Sequence, residues 1–447
     1  MNYTEYKSYI KGKNVTVVGL GRSNLPLISL LCSYGANVTA CDRREDIGEA
    51  AEQLKSLGVT LKLGETYLEN LSADVLFRTP GMRPDLPQLE KLKKNGTVIT
   101  SEMDLFFELC PCEIFAVTGS DGKTTTTTLI CELLKKAGYT CHLGGNIGKP
   151  LIGDIEKIQP HHKVIVELSS FQLFDMTHSP HVAVITNVTP NHLDWHKDYN
   201  EYINAKKRIL ASLKKTDRFV ANLDNDVTSE IKVACEKISF SFDKEADIYV
   251  KDGGIYVKGK HYLDTERIKI VGRHNVYNYM TAIGATLGYV SPEDVQYVAE
   301  TFGGVEHRIE FIREKDGVKY YNSSIDSSPN RTKNTLAVFD RNVVLIAGGK
   351  DKGIPYDEVG KPICEKAKVL ILIGKTSDKI EEAVLKAESP LRPEIIRAKT
   401  YPEAVKTAAE KAENGDVVVL SPASTSFDMF NNFEERGNLF KKLVKEL

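Results

Sequence analysis

The segment Ile114-Phe-Ala-Val-Thr-Gly-Ser-Asp-Gly-Lys-Thr-Thr125 decides the fold of this chain. An apolar strand runs into a glycine turn, and a lysine followed by threonines opens a helix. Glycines let backbone N–H groups crowd around an anion, and the helix N-terminus adds the positive end of its dipole. Gly119, Ser120, Asp121, Gly122, Lys123, Thr124 and Thr125 are therefore the expected polyphosphate cradle. Lys123 has the reach for the β- and γ-phosphates, and the Thr124 hydroxyl is placed to ligate Mg²⁺. Val117 stands where the usual P-loop spacing has its first glycine, so the match is incomplete. An ordinary strand-to-helix turn would explain the glycines, but not the lysine and threonines that follow them. The stretch reads as a nucleotide site.

Around it, 447 residues are too many for one core and favour about three domains. Apolar residues make up 41% and charged residues 27%, as in a soluble globular protein. Lys+Arg (59) nearly balance Asp+Glu (61), so no broad basic field draws the chain to nucleic acid or an anionic membrane, and anion binding must be local. The N-terminus, Met1-Asn-Tyr-Thr-Glu-Tyr-Lys7, lacks the apolar core of a signal peptide. Runs such as Val369–Ile373 are far too short to span a bilayer. The 8 cysteines, including the close pair Cys110-Pro-Cys112, read as reduced packing residues of a cytosolic protein.

β-rich apolar runs alternate with helical segments almost throughout, the pattern of parallel sheets covered by helices. Asn14–Gly19, Val38–Asp42, Val75–Thr79 and Val98–Thr100 read as strands of a first unit, followed by a helix over Glu102–Leu109. Ile114–Thr118, Lys163–Glu167, Val182–Asn187 and Phe219–Asn222 form a second. An antiparallel addition over Ala246–Val257, turning at Asp252-Gly-Gly254, extends it, and helices near Val276–Leu287 and Pro292–Thr301 close it. Gly303-Gly304 marks an expected hinge, and Lys319–Asn322, Val343–Ala347, Val369–Ile373 and Val417–Leu420 are strands of a third unit. The expectation is three α/β domains: 1–104 Rossmann-like, 105–305 P-loop mononucleotide-binding and 306–447 Rossmann-like.

Other residues carry chemistry less sharply. Gly19-Leu-Gly21-Arg-Ser-Asn24, with Asp42 at the end of the next strand, is an imperfect dinucleotide fingerprint. A tight turn in any Rossmann-like domain explains it as well as a ligand does. Glu167, ending an apolar strand beside the P-loop, sits where a Mg²⁺ ligand is usual. His192 and Asp194, in Thr186-Asn-Val-Thr-Pro-Asn-His192-Leu-Asp194-Trp-His196, are candidates for metal or phosphate contact. Lys206, within Lys206-Lys-Arg208, reads by itself as a solvated helix-surface lysine.

Taken in order, Thr118-Gly-Ser-Asp-Gly-Lys-Thr124, Glu167-Leu-Ser-Ser-Phe-Gln172, Asn187 with His192-Leu-Asp194, and His274-Asn275-Val-Tyr-Asn278 resemble the Mur ligases. Glu306-His307-Arg308 and Ser421-Pro-Ala-Ser-Thr-Ser426-Phe-Asp428 continue the resemblance, which covers essentially the whole chain. These ligases are ATP-dependent amide-forming enzymes of peptidoglycan synthesis, related to folylpolyglutamate synthases. The stretch Leu420–Gly437, with Gly19-Leu-Gly-Arg-Ser23 and Asp42, resembles the branch that adds D-glutamate.

The resemblance implies that D-glutamate is added to the L-alanine carboxylate of UDP-N-acetylmuramoyl-L-alanine through an acyl phosphate, by a cytoplasmic monomer serving cell-wall growth and division. It implies catalytic roles for Lys123, His192 and Lys206, with Lys206 carbamylated by CO₂. Thr124 and Glu167 would hold one Mg²⁺, and His192 and the Lys206 carbamate a second. Asn275, Asn278 and Arg308 would join the P-loop in binding ATP. Arg22, Ser23, Asp42, Arg44, Thr79, Gly81 and Asn146 would bind the UDP substrate, and Lys352, Ser426 and Phe433 D-glutamate. Two positions depart from the family pattern: Ser323 replaces an aspartate, with an acid instead at Asp326, and Asn191 replaces the acid before His192. The rival readings are another Mur or folylpolyglutamate-type ligase, a nucleotide sensor without catalysis and, more remotely, a dehydrogenase suggested by Gly19-x-Gly21 alone.

Overall fold

The computed structural model describes residues 1–340 and 342–447 and organises them around three sheets. The first has the order Thr60–Leu63, Asn37–Asp42, Asn14–Val18, Val75–Arg78, Val98–Thr100, with every pairing parallel. The order turns back at Asn14–Val18, as in a Rossmann-type half, and pairs Val18 with Cys41, so that Asp42 lies one residue beyond the end of the first strand.

In the second sheet, Glu113–Thr118 lies between Lys163–Glu167 and Val182–Ile185. Cys141–Gly145 lies beyond Lys163–Glu167, and Arg218–Asn222 and Glu236–Ser241 continue the other side. The expected antiparallel addition is present as Ile248–Lys251 and Gly254–Val257, and a further strand, Lys260–Asp264, completes it. Residues Ile114–Val117 are almost wholly buried, so the strand that delivers the P-loop is fixed on both sides and both faces. Helix Lys123–Lys136 starts directly after the loop and buries Leu129, Ile130, Leu133 and Leu134.

The chain divides into two compact units, residues 1–267 with 273–298, and residues 268–272 with 299–447. Within the first unit the two sheets share one apolar core, in which Leu27 and Ile28 belong to the same cluster as Ile152 and Ile155. Arg78, fully buried, reinforces this by donating from Nε to Asp175 Oδ2 at 2.7 Å and from Nη1 to Met82 O at 2.8 Å. The second unit holds the third sheet: Glu310–Lys315, Val318–Asn322, Val417–Leu420, Val343–Ala347, Ala367–Leu372, Glu394–Arg397. Among the described strands of that sheet, Glu310–Lys315 pairs antiparallel and the others parallel.

The strands beyond the sequence expectation are Thr60–Leu63, Cys141–Gly145, Glu236–Ser241, Lys260–Asp264, Glu310–Lys315 and Glu394–Arg397. Most are edge or near-edge strands whose composition is charged or glycine-rich, so pairing and not propensity makes them β. Among the described residues, no helix is long and apolar enough to cross a membrane.

Candidate active site

Two glycines shape the loop between Thr118 and Lys123. Gly119 has φ +148°, and a Cβ there would lie 1.9 Å from Thr186 Oγ1. Gly122 has φ +76°, and its Cβ would lie 2.4 Å from Asn278 Oδ1. No other residue fits these two positions without moving a neighbour. The loop is also tied down polar group by polar group. Ser120 N donates to Asn187 O at 2.9 Å, Asp121 N to Asn187 Oδ1 at 3.0 Å, and Thr186 Oγ1 to Asp121 O at 2.6 Å. Lys123 Nζ folds back onto the loop carbonyls, donating to Gly119 O at 3.0 Å and Ser120 O at 2.9 Å.

Glu167 stands at the end of its strand, 2% exposed, with both carboxylate oxygens engaged. Thr124 Oγ1 donates to Oε2 at 2.6 Å, and Asn146 Nδ2 donates to Oε1 at 2.6 Å. Thr124 and Asn146, 43 and 21 positions before Glu167, thus converge on its carboxylate, and all three were singled out from the sequence. A hydroxyl and a carboxylate at the start of a P-loop helix suit a hard, oxygen-seeking cation such as Mg²⁺. Among the described residues no group of three His, Cys, Asp or Glu side chains could hold a metal. Mg²⁺ at this pair would need phosphate oxygens and water to complete its coordination, which is its habit with nucleotides.

Lys206 departs most from its appearance in the sequence. Helix Tyr199–Lys207, capped by Asp198 onto Glu201 N, turns Lys206 inward to 2% exposure while Lys207 and Arg208 stay exposed. Its Nζ donates to Gly119 O at 2.7 Å and lies 4.6 Å from the centre of the Tyr202 ring. Burial, reinforced by the like charge of Lys123, pulls the ammonium down to about 7. A buried amine that loses its proton so readily is suited to carbamate formation, and the sequence alone gave no sign of that burial. Tyr202 is a site residue that sequence reasoning missed: its hydroxyl pairs with Ser120 Oγ at 2.9 Å, linking the lysine helix to the P-loop.

His192 is exposed and adopts φ +54°, in a turn where its N–H donates to Asn191 Oδ1 at 2.9 Å. The asparagine that departs from the family pattern therefore supports this turn itself. Partial burial, aided by the charges of Lys123 and Lys206, holds the His192 imidazole below its ordinary value. Asp194 is exposed, and its charge is the opposing influence on that imidazole. His196, four residues on, is buried, and its Nε2 pairs with Ser170 Oγ at 3.0 Å. Asn275 and Asn278, from helix Arg273–Thr286, are buried beside the loop; Asn278 Nδ2 donates to Asn275 Oδ1 at 2.9 Å, and Asn278 Oδ1 accepts from Thr126 Oγ1 at 3.2 Å.

At the first sheet, Asp42 is the organising group. Its oxygens accept from Leu20 N at 2.7 Å, from Arg44 N at 2.9 Å, and from Arg44 Nε and Nη2 at 2.9 Å each. The Arg44 fork, first among these, draws the carboxyl down to about 2. Gly19, at φ +86°, packs so closely that a Cβ would sit 2.7 Å from Thr79 Cβ, which brings the Thr79-Pro-Gly81 turn against Gly19. Arg22 is exposed and Ser23 half-buried beside them. Asn24, at the third-glycine position, donates to Gly19 O at 2.7 Å and stabilises that turn.

The second unit assembles its own polar cluster. Lys352 is exposed, with Nζ 3.2 Å from Ser327 Oγ; Ser426 is buried; Phe433 accepts from Ser324 Oγ at 2.8 Å through its carbonyl. Beneath them lies Arg436, 1% exposed, donating to Ser324 Oγ at 3.0 Å, Ser324 O at 2.8 Å and Ser424 O at 3.2 Å. Sequence reasoning quoted this arginine within Leu420–Gly437 without singling it out. Asp326 is buried and accepts from Ser421 Oγ and Thr335 Oγ1 at 2.7 Å each, so the displaced acid organises the unit internally. Arg308 is half-buried, its N–H donating to Val305 O at 2.9 Å.

A P-loop whose first threonine meets a strand-end carboxylate defines a phosphate-binding α/β protein. The Mur ligase MurD-like N-terminal domain matches residues 13–101, the Mur ligase middle domain 117–286, and the Mur ligase glutamate ligase domain 307–424. The chain is 50% identical to a UDP-N-acetylmuramoylalanine–D-glutamate ligase of Ruminiclostridium cellulolyticum, over 99% of this chain and 98% of that one. It is also 50% identical to the ligase of the same name from Acetivibrio thermocellus, with the same coverage. Among solved structures, the UDP-N-acetylmuramate-alanine ligase of Thermotoga maritima shares the fold, with a TM-score of 0.58 at 19% identity over 97% of this chain and 99% of that one. The chain belongs to the Mur ligase family.

Proposed function

We infer that this Mur ligase uses ATP to join D-glutamate to the L-alanine carboxylate of UDP-N-acetylmuramoyl-L-alanine. The observation that carries the reading is full-length identity of 50% to relatives of that name, in a chain that retains Lys123, Glu167, His192 and Lys206. In the first step the substrate carboxylate attacks the γ-phosphorus of ATP, an O–P bond forms, and ADP leaves with the electron pair of the broken bond. In the second, the neutral amine of D-glutamate attacks the acyl carbon, an N–C bond forms, and phosphate departs as the nitrogen gives up its proton. Both steps gather anions and spread charge over oxygen, so fixed positive charge and oriented donors are the main catalytic requirement.

Lys123 would meet that requirement at the phosphates, beside the first-turn N–H groups of the helix that it opens. Thr124 and Glu167 would hold one Mg²⁺ and His192 and Lys206 a second, and the cation supplies charge neutralisation at the transferred phosphoryl group. For the second site, the unprotonated Lys206 amine forms an N–C bond with CO₂ and releases a proton, which converts a cation into an oxygen ligand. Asn275, Asn278 and Arg308 are assigned to ATP. Arg22, Ser23, Asp42, Arg44, Thr79, Gly81 and Asn146 are assigned to the UDP substrate, and Lys352, Ser426 and Phe433 to D-glutamate. The corresponding domains are 1–104, 105–305 and 306–447, in a cytoplasmic monomer.

The test is phosphate release from ATP with UDP-N-acetylmuramoyl-L-alanine, adding D-glutamate or L-glutamate. Release that requires both the UDP substrate and the D-isomer supports the reading. Release with L-alanine and the unsubstituted muramate, or with a folate, would assign another branch of the ligases, and ATP binding without release under any condition would leave a sensor.

A further inference from the structure

Arg83 has all five guanidinium N–H donors occupied, and its partners come from two different regions of the first unit. Nε and Nη2 donate to the two oxygens of Asp85 at 2.8 and 2.9 Å. Nη2 and Nη1 donate to the two oxygens of Glu201 at 3.0 and 3.1 Å, and Nη1 also donates to Trp195 O at 3.0 Å. Five is the whole capacity of the group. The guanidinium carbon lies 4.9 Å from the centre of the Trp195 ring, and Trp195 Nε1 returns a hydrogen bond of 3.0 Å to Gly81 O. Lys197 seals the edge, donating from N to Glu201 Oε2 at 2.8 Å and from Nζ to Asp85 Oδ2 at 2.9 Å. The Arg83 and Glu201 side chains are 20% and 19% exposed, so the pair is shielded more than an ordinary surface ion pair.

On one side of this fork is the Thr79-Pro-Gly81 turn, packed against Gly19 in the pocket assigned to the nucleotide end of the substrate. On the other are Trp195, three residues after His192, and Glu201, whose neighbour Tyr202 lies under Lys206. The two regions are already held together without Arg83. Arg78 grips Asp175, and Asp104 accepts from Thr177 Oγ1 at 2.8 Å. Those ties end on the segment just after helix Ser170–Leu173, whereas the Arg83 fork, with the Trp195–Gly81 and Lys197–Asp85 bonds beside it, ends on the segment that carries His192 and Lys206. Adhesion alone does not call for a planar fork with every donor used; a fixed distance and orientation do.

We propose that Arg83 is a positioning residue that sets the spacing between the nucleotide-binding turn and the His192–Lys206 segment, so that a substrate held at its uridine diphosphate end presents its carboxylate in register. The proposal rests on the substrate reading given above. It requires that a ligand occupying both ends feel the loss of Arg83, and that a ligand occupying only the nucleotide end not feel it.

Calorimetric titration of the full chain with UDP and with UDP-N-acetylmuramoyl-L-alanine makes that distinction, alongside steady-state phosphate release. Arg83→Ala is expected to weaken the full substrate tenfold or more in Kd and KM, while UDP affinity and the KM for D-glutamate stay within about twofold of wild type. Glu201→Gln, which keeps shape and removes the charge, is expected to move the same quantities in the same direction by less, and it decides the matter if Arg83→Ala does not fold. Arg83→Lys is expected not to restore full-substrate affinity, because an ammonium cannot serve all these acceptors. Equal weakening of UDP and full substrate overturns the proposal in favour of a purely structural role, and unchanged affinities for both overturn it outright. A wild-type chain that neither binds nor turns over the UDP substrate defeats the substrate reading and the proposal with it, an outcome distinct from an active wild type matched by its Arg83→Ala variant.

Discussion

Lys206 Nζ lies 2.7 Å from the carbonyl oxygen of Gly119, which puts the candidate carbamate lysine directly against the phosphate loop. The contact joins residues 87 positions apart and excludes water from the amine. An exposed lysine would be almost wholly protonated near neutrality, because its ordinary pKa is about 10.4. Here burial and the charge of Lys123 bring it to about 7.

The first prediction follows from that proton balance. CO₂ reacts only with the neutral amine, so at a fixed concentration of dissolved CO₂ carbamylation rises as pH increases through about 7. With ¹³C-labelled bicarbonate, a carbamate carbon resonance is expected that grows over this range and is absent from Lys206→Ala. That variant is expected to lose at least about 99% of turnover, roughly 2.7 kcal/mol or more of transition-state stabilisation, and added bicarbonate should not rescue it. Full turnover in Lys206→Arg, which cannot form the carbamate, would falsify the assignment.

A second prediction concerns the loop glycines. Gly122→Ala forces a side chain into φ +76° and drives its Cβ to 2.4 Å from Asn278 Oδ1. Strain of this kind costs about 1–3 kcal/mol, and here it also disturbs Asn278, a residue assigned to ATP. The KM for ATP is expected to rise at least about tenfold, with the UDP-substrate affinity unchanged in calorimetry. An ATP affinity equal to wild type would show that the loop has room the geometry denies.

The contrast between these two cases explains what could be read from the sequence. The P-loop was legible because its meaning is local: an apolar run, glycines, a lysine and threonines within twelve residues. The central strands were legible for the same reason, since Val343–Ala347 and Val417–Leu420 are continuous apolar runs. Glu394–Arg397 was not, because a four-residue edge strand with a charge at each end becomes β only by pairing with Ala367–Leu372. The burial of Lys206 was hidden by its basic neighbours Lys207 and Arg208 and depends on groups brought in from Gly119. Arg436 and Arg83 were hidden similarly, for their partners lie up to 112 and 118 residues away. Family resemblance alone suggested the role proposed for Lys206; its burial against Gly119 is visible only in the fold.

A third prediction tests the nucleotide end. Asp42 accepts from one backbone N–H at Leu20, a buried contact, and from three donors of Arg44, whose side chain is 58% exposed and so partly screened by solvent. Asp42→Ala frees Arg44 and unpins the Gly19 turn. The expected result is a UDP-substrate KM raised about tenfold or more, with ATP affinity in calorimetry unchanged. Because the Arg44 fork draws the carboxyl to about 2, its contribution is present above the ordinary carboxylate range and fades only as pH falls towards 2. The difference between wild type and Asp42→Ala should therefore be constant from pH 6 to pH 8; a difference that varied over that interval would assign the effect to another group.

The last prediction comes from a carboxyl with no assigned role. Glu102 begins helix Glu102–Leu109, is 5% exposed, and has one oxygen, Oε1, without a hydrogen-bond partner. Burial raises its pKa to about 8, opposed only by a hydrogen bond from the Ile152 backbone. Between the ordinary carboxylate value of 4.5 and about 8, the folded chain retains a proton that the unfolded chain has lost. Stability attributable to this group therefore falls as pH rises through that window, and falls no further above it. Glu102→Gln keeps the shape and the acceptor for Ile152 while removing the ionisation. Melting curves at pH 5 and pH 8 should show the variant gaining on wild type by roughly 3 °C or more at the higher pH. Parallel curves would mean that Glu102 ionises in the folded chain as readily as in water, and that its unpaired oxygen is reached by solvent.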